Sequence, residues 1–211
     1  LRHIDNKLFE AVIFRQSRPQ IMSAGGLYAT SQEIYPHLGA SSVLTPNVQW
    51  RFQSGAKVTF AHMFYEKEKY NWQGSQIPLL MFDELVHFTE SQFFYMFSRN
   101  RSTCGVRPYI RATCNPDGES WVARFIDWWI DPETGYADES RCGKLRYFIR
   151  RNNIIHWADT PQQLYEEFHL YSPEEMEEVK SVSFISAKLT DNAAMMKHDP
   201  GYIGALKAMS E

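Results

Sequence analysis

Two short stretches without a polar residue constrain the fold of this chain more than any other feature. One is Ala11-Val12-Ile13-Phe14, which gives way to Arg15-Gln16-Ser17-Arg18-Pro19; the other is Leu79-Leu80-Met81-Phe82, entered through Ile77-Pro78 and cut off by Asp83-Glu84. A strand with one wet face alternates apolar and polar side chains, so a run that does not alternate has both faces covered, as in a parallel sheet between helices. Tyr109-Ile110-Arg111-Ala112-Thr113 is a third strand candidate, ending at Asn115-Pro116. Helical segments separate these strands. One is read over 26–35 and stopped by Pro36, and Thr89-Glu90-Ser91-Gln92 is a capping box that opens another, running to about Asn100 with Phe93, Phe94 and Phe97 on its apolar side. Trp121, Val122, Phe125, Ile126 and Trp129 repeat at helical spacing. Val48, Trp50 and Phe52 alternate with polar residues, as does Lys57-Val58-Thr59-Phe60 after Ser54-Gly55, which predicts a β-hairpin at a sheet edge or in a flap. The succession of strand and helix predicts the α/β class, with a mostly parallel sheet flanked by helices.

Beyond 131–135 the style changes. A hairpin pairs 145–150 with 154–157 around Asn152-Asn153, and Thr160-Pro161-Gln162-Gln163 and Ser172-Pro173-Glu174-Glu175 are capping boxes with proline at the first helical position. A last strand at 181–185 and a terminal helix at 200–209 complete a small α+β segment. The expected division is therefore a core over 1–140 and a smaller C-terminal subdomain over 141–211.

With 44% apolar residues in 211, the chain can fill a substantial core. Its 22 Lys+Arg against 25 Asp+Glu give a net charge of -3, which excludes a disordered polyelectrolyte and a generally basic nucleic-acid coat, so any DNA contact must be local. Cys104, Cys114 and Cys142 are odd in number and lack C-x-x-C spacing, which argues against a disulfide scaffold, a zinc ribbon and secretion, and for a reducing cytoplasm. His62, His87, His156 and His198 likewise lack zinc spacing. No apolar run approaches the ~18 residues of a membrane span, and no signal peptide is recognisable at Leu1-Arg2-His3-Ile4-Asp5. That opening reads like the tail of a helix inside a longer protein. Glu174-Glu175-Met176-Glu177-Glu178 suits the solvated first turns of a helix. Trp72, Trp121, Trp128 and Trp129 could stack on bases, but their spacing favours packing.

The chemistry concentrates at the ends of the strands. In parallel sheets ligands collect at the carboxyl ends, where the second run places Asp83 and Glu84. Transfer of a phosphoryl group from ATP needs one carboxylate to hold Mg²⁺ through water and can use a second to orient and deprotonate an attacking water. Adjacent side chains point in opposite directions, so Asp83 can face a metal while Glu84 reaches further. The same pair can also be read as a cap on a buried strand. Thr113 and Asn115 at the tip of the next strand carry a hydroxyl and a carboxamide able to bond a phosphate oxygen or a positioned water, or simply to form a turn.

Tyr65-Glu66-Lys67-Glu68-Lys69-Tyr70-Asn71-Trp72-Gln73-Gly74, the run into Asp83-Glu84-Leu85, Ser98-Arg99-Asn100-Arg101-Ser102, Ala112-Thr113-Cys114-Asn115-Pro116-Asp117 and Lys188-Leu189-Thr190-Asp191-Asn192 together resemble the large terminase subunit of tailed bacteriophages. The resemblance implies a P-loop ATPase domain with an additional catalytic glutamate that drives double-stranded DNA into a capsid, followed in the family by a nuclease domain. It implies ATP and Mg²⁺ as cofactors, Asp83 as the metal-holding aspartate, Glu84 as the catalytic glutamate, and Thr113 to Asn115 as the motif coupling hydrolysis to movement. It further implies portal protein and small terminase subunit as partners, self-association as a ring, and the cytoplasm of the host bacterium as the location. Arg15 and Arg18, after a core strand, and Arg99 and Arg101, after the helix that follows the acidic pair, are candidate phosphate contacts, or else solvated. The family's G-x-x-x-x-G-K-[ST] loop is not found: Gly55-Ala56-Lys57 lies in the hairpin and is followed by Val58. The expectation is an ATPase core lacking its N-terminal P-loop strand and helix, with 141–211 as lid and no nuclease domain, inactive alone. The rivals are a catalytically dead binding remnant and a metal-dependent nuclease.

Overall fold

The computed structural model describes residues 2–115 and 117–198, with Gly201 and Gly204. The chain packs as two compact units, Leu1–Phe125 and Ile126–Glu211. The first contains β1 (Glu10–Arg15), α1 (Arg18–Met22), α2 (Leu27–Ile34), β2 (Ser41–Val43), β3 (Val48–Arg51), β4 (Lys57–His62), β5 (Leu79–Phe82), α3 (Glu90–Phe97), β6 (Tyr109–Ala112) and the start of α4 (Trp121–Ile126). Its six-stranded sheet has the order β2-β3-β4-β1-β5-β6. β4, β1, β5 and β6 run parallel, and β3 and β2 close one side antiparallel.

The unbroken apolar runs have the cause expected of them. Val12 and Phe14 of β1, with Leu80 and Phe82 of β5, join one core cluster with Phe93 and Met96 of α3 and Val122 of α4. Ala11, Ile13 and Leu79 point the other way, into a second cluster with Ile21 of α1, Trp50 and Phe60. One strand thus supplies two cores, and no position between its ends can be polar. Phe14 is fully buried, and truncation to alanine at such a site costs about 3–5 kcal/mol.

The predicted hairpin exists as β3 and β4, but β4 is an interior strand of the sheet rather than an edge. Thr59 produced the polar half of its alternation; it is nevertheless buried, because the Gln49 side chain donates a 3.0 Å hydrogen bond to its hydroxyl. α1 was not anticipated. It opens at Ser17, whose N–H donates to the Gln20 side chain at 3.1 Å, with Pro19 in the first turn. α3 is capped as its sequence requires: the Gln92 N–H donates to Thr89 Oγ1 at 3.0 Å, and the Thr89 N–H donates back to Gln92 Oε1 at 2.9 Å. Beneath it the buried Lys69 ammonium bonds Glu66 and Ser91 and lies near the rings of Tyr70 and Tyr95.

In the second unit β7 (Leu145–Arg151), β8 (Ile154–Ala158) and β9 (Lys180–Ser183) form an antiparallel sheet in the order β8-β7-β9, accompanied by α5 (Pro161–Glu167), α6 (Pro173–Met176) and α7 (Ala193–His198). Asn152 and Asn153 turn the hairpin at φ 50° and 64°, a left-handed pair that asparagine tolerates. Ile149, Ala158, Leu164 and Leu170 form its core. The tryptophans pack: Trp129 is fully buried and donates to the Lys144 carbonyl at 3.0 Å, and Trp128 lies against the guanidinium groups of Arg141 and Arg146. The helix predicted over 200–209 lies outside the described residues. Among the described residues no helix is long and apolar enough to cross a membrane.

Candidate functional site

Strand register builds the site. Phe14 of β1 pairs with Phe82 of β5, and Phe82 pairs with Ala112 of β6. The next residues, Arg15, Asp83 and Thr113, therefore leave three adjacent strands side by side at their carboxyl ends. Arg15 Nη1 donates to Asp83 Oδ2 at 2.6 Å, and the Thr113 hydroxyl donates to Asp83 Oδ1 at 2.8 Å. The same hydroxyl accepts from the Glu84 N–H at 3.3 Å. Main-chain bonds lock the rim, with the Asp83 N–H on the Phe14 carbonyl at 2.9 Å and the Leu85 N–H on the Thr113 carbonyl at 2.8 Å.

Glu84 departs from the simple alternation of a strand. It sits at φ 58° and ψ 66°, a left-handed conformation unfavourable for a residue with a β-carbon, and this turn brings its Oε1 to 4.0 Å from Arg15 Nη1. Cys114, beside it, is half-buried; burial pushes its thiol up and the Glu84 charge adds to the effect.

The structure gathers most of the sequence candidates but not all. Arg15, Asp83, Glu84 and Thr113 meet, and Asn115 follows at the same rim, exposed. Arg18 is spent on the carbonyls of Leu44 and Pro46, at 2.9 and 3.4 Å. Arg101 is not brought to the site: it donates to the Ser75 carbonyl, while the Arg99 carbonyl accepts from the Ile77 N–H. Both lie at the amino end of β5, because a helix following a parallel strand returns to the opposite rim, roughly 20 Å away at ~3.3 Å per residue over positions 77 to 83. Sequence reasoning also missed the turn between α1 and α2. There Gly25 has φ 73°, and a β-carbon on Gly26 would meet the carbonyls of Gln20 and Ser23 at 2.9 Å. This turn walls a cavity of about 360 Å³ that also borders Arg15, Asp83, Thr30 and Tyr35, whose hydroxyl is pushed up by burial. The Gly25-Gly26 pair was the available signal.

Among the described residues no three His, Cys, Asp or Glu side chains converge as a metal cage. The donors present are two carboxylates and a hydroxyl at one rim. These hard oxygens fit Mg²⁺, which is commonly held by one or two carboxylates and shared with substrate phosphates and water.

A search of curated proteins returns no match. Solved structures similar to this chain include the large terminase of a thermophilic bacteriophage in complex with ADP, with 14% identity, 53% of this chain and 26% of that chain covered, and a TM-score of 0.39. A second crystal form of that phage's large terminase matches at 11% identity over 92% of this chain and 68% of that one, with a TM-score of 0.43. The N-terminal domain of the DNA packaging ATPase from bacteriophage phi29 matches at 10% identity over 73% and 76%, with a TM-score of 0.41. This chain spans about a quarter of the first of these proteins. The family described as "Terminase large subunit, T4likevirus-type, N-terminal" matches residues 2–211. From its second residue to its last, the chain belongs to that family of terminase large subunits.

Proposed function

We propose that this chain forms the strand-tip part of an ATPase that packages double-stranded DNA into a capsid. The supporting observation is the row Arg15, Asp83, Thr113, set by strand register, with Glu84 turned into it. ATP lies with its phosphates along this rim, beside the cavity under the α1–α2 turn. Mg²⁺, when bound, neutralises developing phosphate charge, and Asp83, through water, is the residue to hold it. Glu84 orients the attacking water and takes its proton. Thr113 joins the Asp83 carboxylate to the Glu84 backbone through one hydroxyl, so a change in what Asp83 holds is felt at Glu84. Asn115 lies next on the same loop, placed to pass that change on. Arg15 supplies positive charge for phosphate oxygens, and Arg18 could join it only by giving up its bonds to the Leu44 and Pro46 carbonyls. Residues 141–211 serve as the lid subdomain. In the whole motor the partners are double-stranded DNA, portal protein, small terminase subunit and further copies in a ring, in the host bacterium's cytoplasm.

No phosphate-cradling loop is found in this sequence, so the chain alone should not turn over ATP. The test is hydrolysis by the chain extended upstream with a G-x-x-x-x-G-K-[ST] loop. Glu84→Gln should reduce turnover by roughly a hundredfold or more, the lower range for a general base. Turnover that persists in Glu84→Gln overturns the assignment.

A further inference from the structure

The Arg15 guanidinium occupies the position expected of a cation shared by two carboxylates. Its Nη1 lies 2.6 Å from Asp83 Oδ2 and 4.0 Å from Glu84 Oε1. Asp83 is thereby engaged on both oxygens, one by Arg15 and the other by the Thr113 hydroxyl. The three charged side chains are 23%, 29% and 30% exposed, so the contact is partly withdrawn from solvent. A guanidinium cannot lose its proton under ordinary conditions and offers only donors. It can leave the carboxylates only by displacement, and once displaced it needs another anion. A divalent cation arriving alone at Asp83 would have to expel Arg15 and then endure its repulsion at close range. A cation arriving with phosphate oxygens offers the guanidinium somewhere to go.

Resting on the reading of Asp83 as the cation-holding carboxylate, we infer that Arg15 is an internal counterion. It keeps Asp83 closed to a bare divalent cation and releases it when anionic oxygens of a phosphate group take the guanidinium. Arg15 is thus a positioning residue that makes cation and polyphosphate binding mutually dependent. Its backbone is fixed at the end of β1.

The test is Mn²⁺ titration of the whole chain, followed by the loss of the free-ion signal in electron paramagnetic resonance, with no nucleotide present. Arg15→Ala should bind Mn²⁺ roughly tenfold tighter or more than wild type, because a like charge has left the site. Arg15→Lys keeps the charge and should stay near wild type. Adding Asp83→Asn to Arg15→Ala should abolish the gain. Arg15→Gln, which keeps amide donors for the Asp83 oxygens, provides the same comparison should the alanine variant fail to fold by circular dichroism. Equal Mn²⁺ affinity in wild type, Arg15→Ala and Arg15→Gln, with affinity lost in Asp83→Asn, overturns the counterion while leaving the Asp83 assignment standing. Affinity that Asp83→Asn leaves unchanged in every background removes that assignment and the inference with it.

Discussion

Glu84 permits a sharp comparison between two truncations that both remove its carboxylate. At φ 58° and ψ 66° a side chain bearing a β-carbon pays ~1–2 kcal/mol relative to the right-handed region, whereas glycine does not. The backbone cannot relax out of this conformation cheaply. The N–H of Asp83 is bound to Phe14, that of Glu84 to the Thr113 hydroxyl and that of Leu85 to the Thr113 carbonyl. Against the gain, glycine adds about 0.4–1 kcal/mol of disorder to the unfolded chain. Glu84→Gly should therefore be more stable than Glu84→Ala by roughly 0.5–1 kcal/mol, the lost Arg15 contact at 4.0 Å being common to both and cancelling. That difference corresponds to a Tm gap of a few degrees, at roughly 2–4 °C per kcal/mol for a chain of this size, and urea melts read at several protein concentrations can resolve it. Alanine equal to or better than glycine would refute the reasoning: the rim would then hold residue 84 without strain, and the left-handed turn that aims its carboxylate would not be a feature of the folded state.

Asn100 and Cys114 give two further tests. The Asn100 side-chain amide donates to the carbonyls of Ile77, Pro78 and Tyr109 at 2.9, 3.2 and 3.3 Å, tying the starts of β5 and β6 together; Asn100→Ala should lower stability by about 1–3 kcal/mol, and an unchanged urea midpoint would show the clamp to be idle. The Cys114 thiol is raised by burial and then by the Glu84 charge, so at a fixed pH it holds less thiolate than an unperturbed cysteine. Replacing Glu84 by glutamine removes a negative charge, lowers the thiol pKa and should speed alkylation of Cys114 by iodoacetamide; mass spectrometry that finds the rate unchanged would place the carboxylate elsewhere.

The parts of the fold legible in the sequence were those where one physical requirement acts on a contiguous run. β1 and β5 had to be apolar throughout because each feeds two cores, and the capping box at Thr89 announced α3. The strand-tip acids followed from the abrupt end of the run. β2 was invisible because its three residues are exposed and bury no face, and the 3₁₀ segment Glu66–Trp72 has no helical period to detect. The place of Arg101 was misjudged for want of the return path of α3. The pairing of Arg15 with Asp83 joins residues 68 positions apart, and only the β1–β5 register, which composition does not encode, makes them neighbours. Yet both stand at the first polar position after an apolar run, a coincidence that a parallel sheet turns into contact.

The two-sided character of β1 offers a spectroscopic handle. Val12 and Ile13 are consecutive, yet their methyl groups lie in separate interiors, one beneath α3 and α4 and the other beneath α1 and α2. Isotopic labelling of this single dipeptide would place paired reporters on opposite sides of one peptide plane. An event under the α1–α2 turn should move the isoleucine resonance first, and one transmitted through the helix after the acidic pair should move the valine, so the order of their shifts during a titration would trace the direction in which a disturbance crosses the sheet.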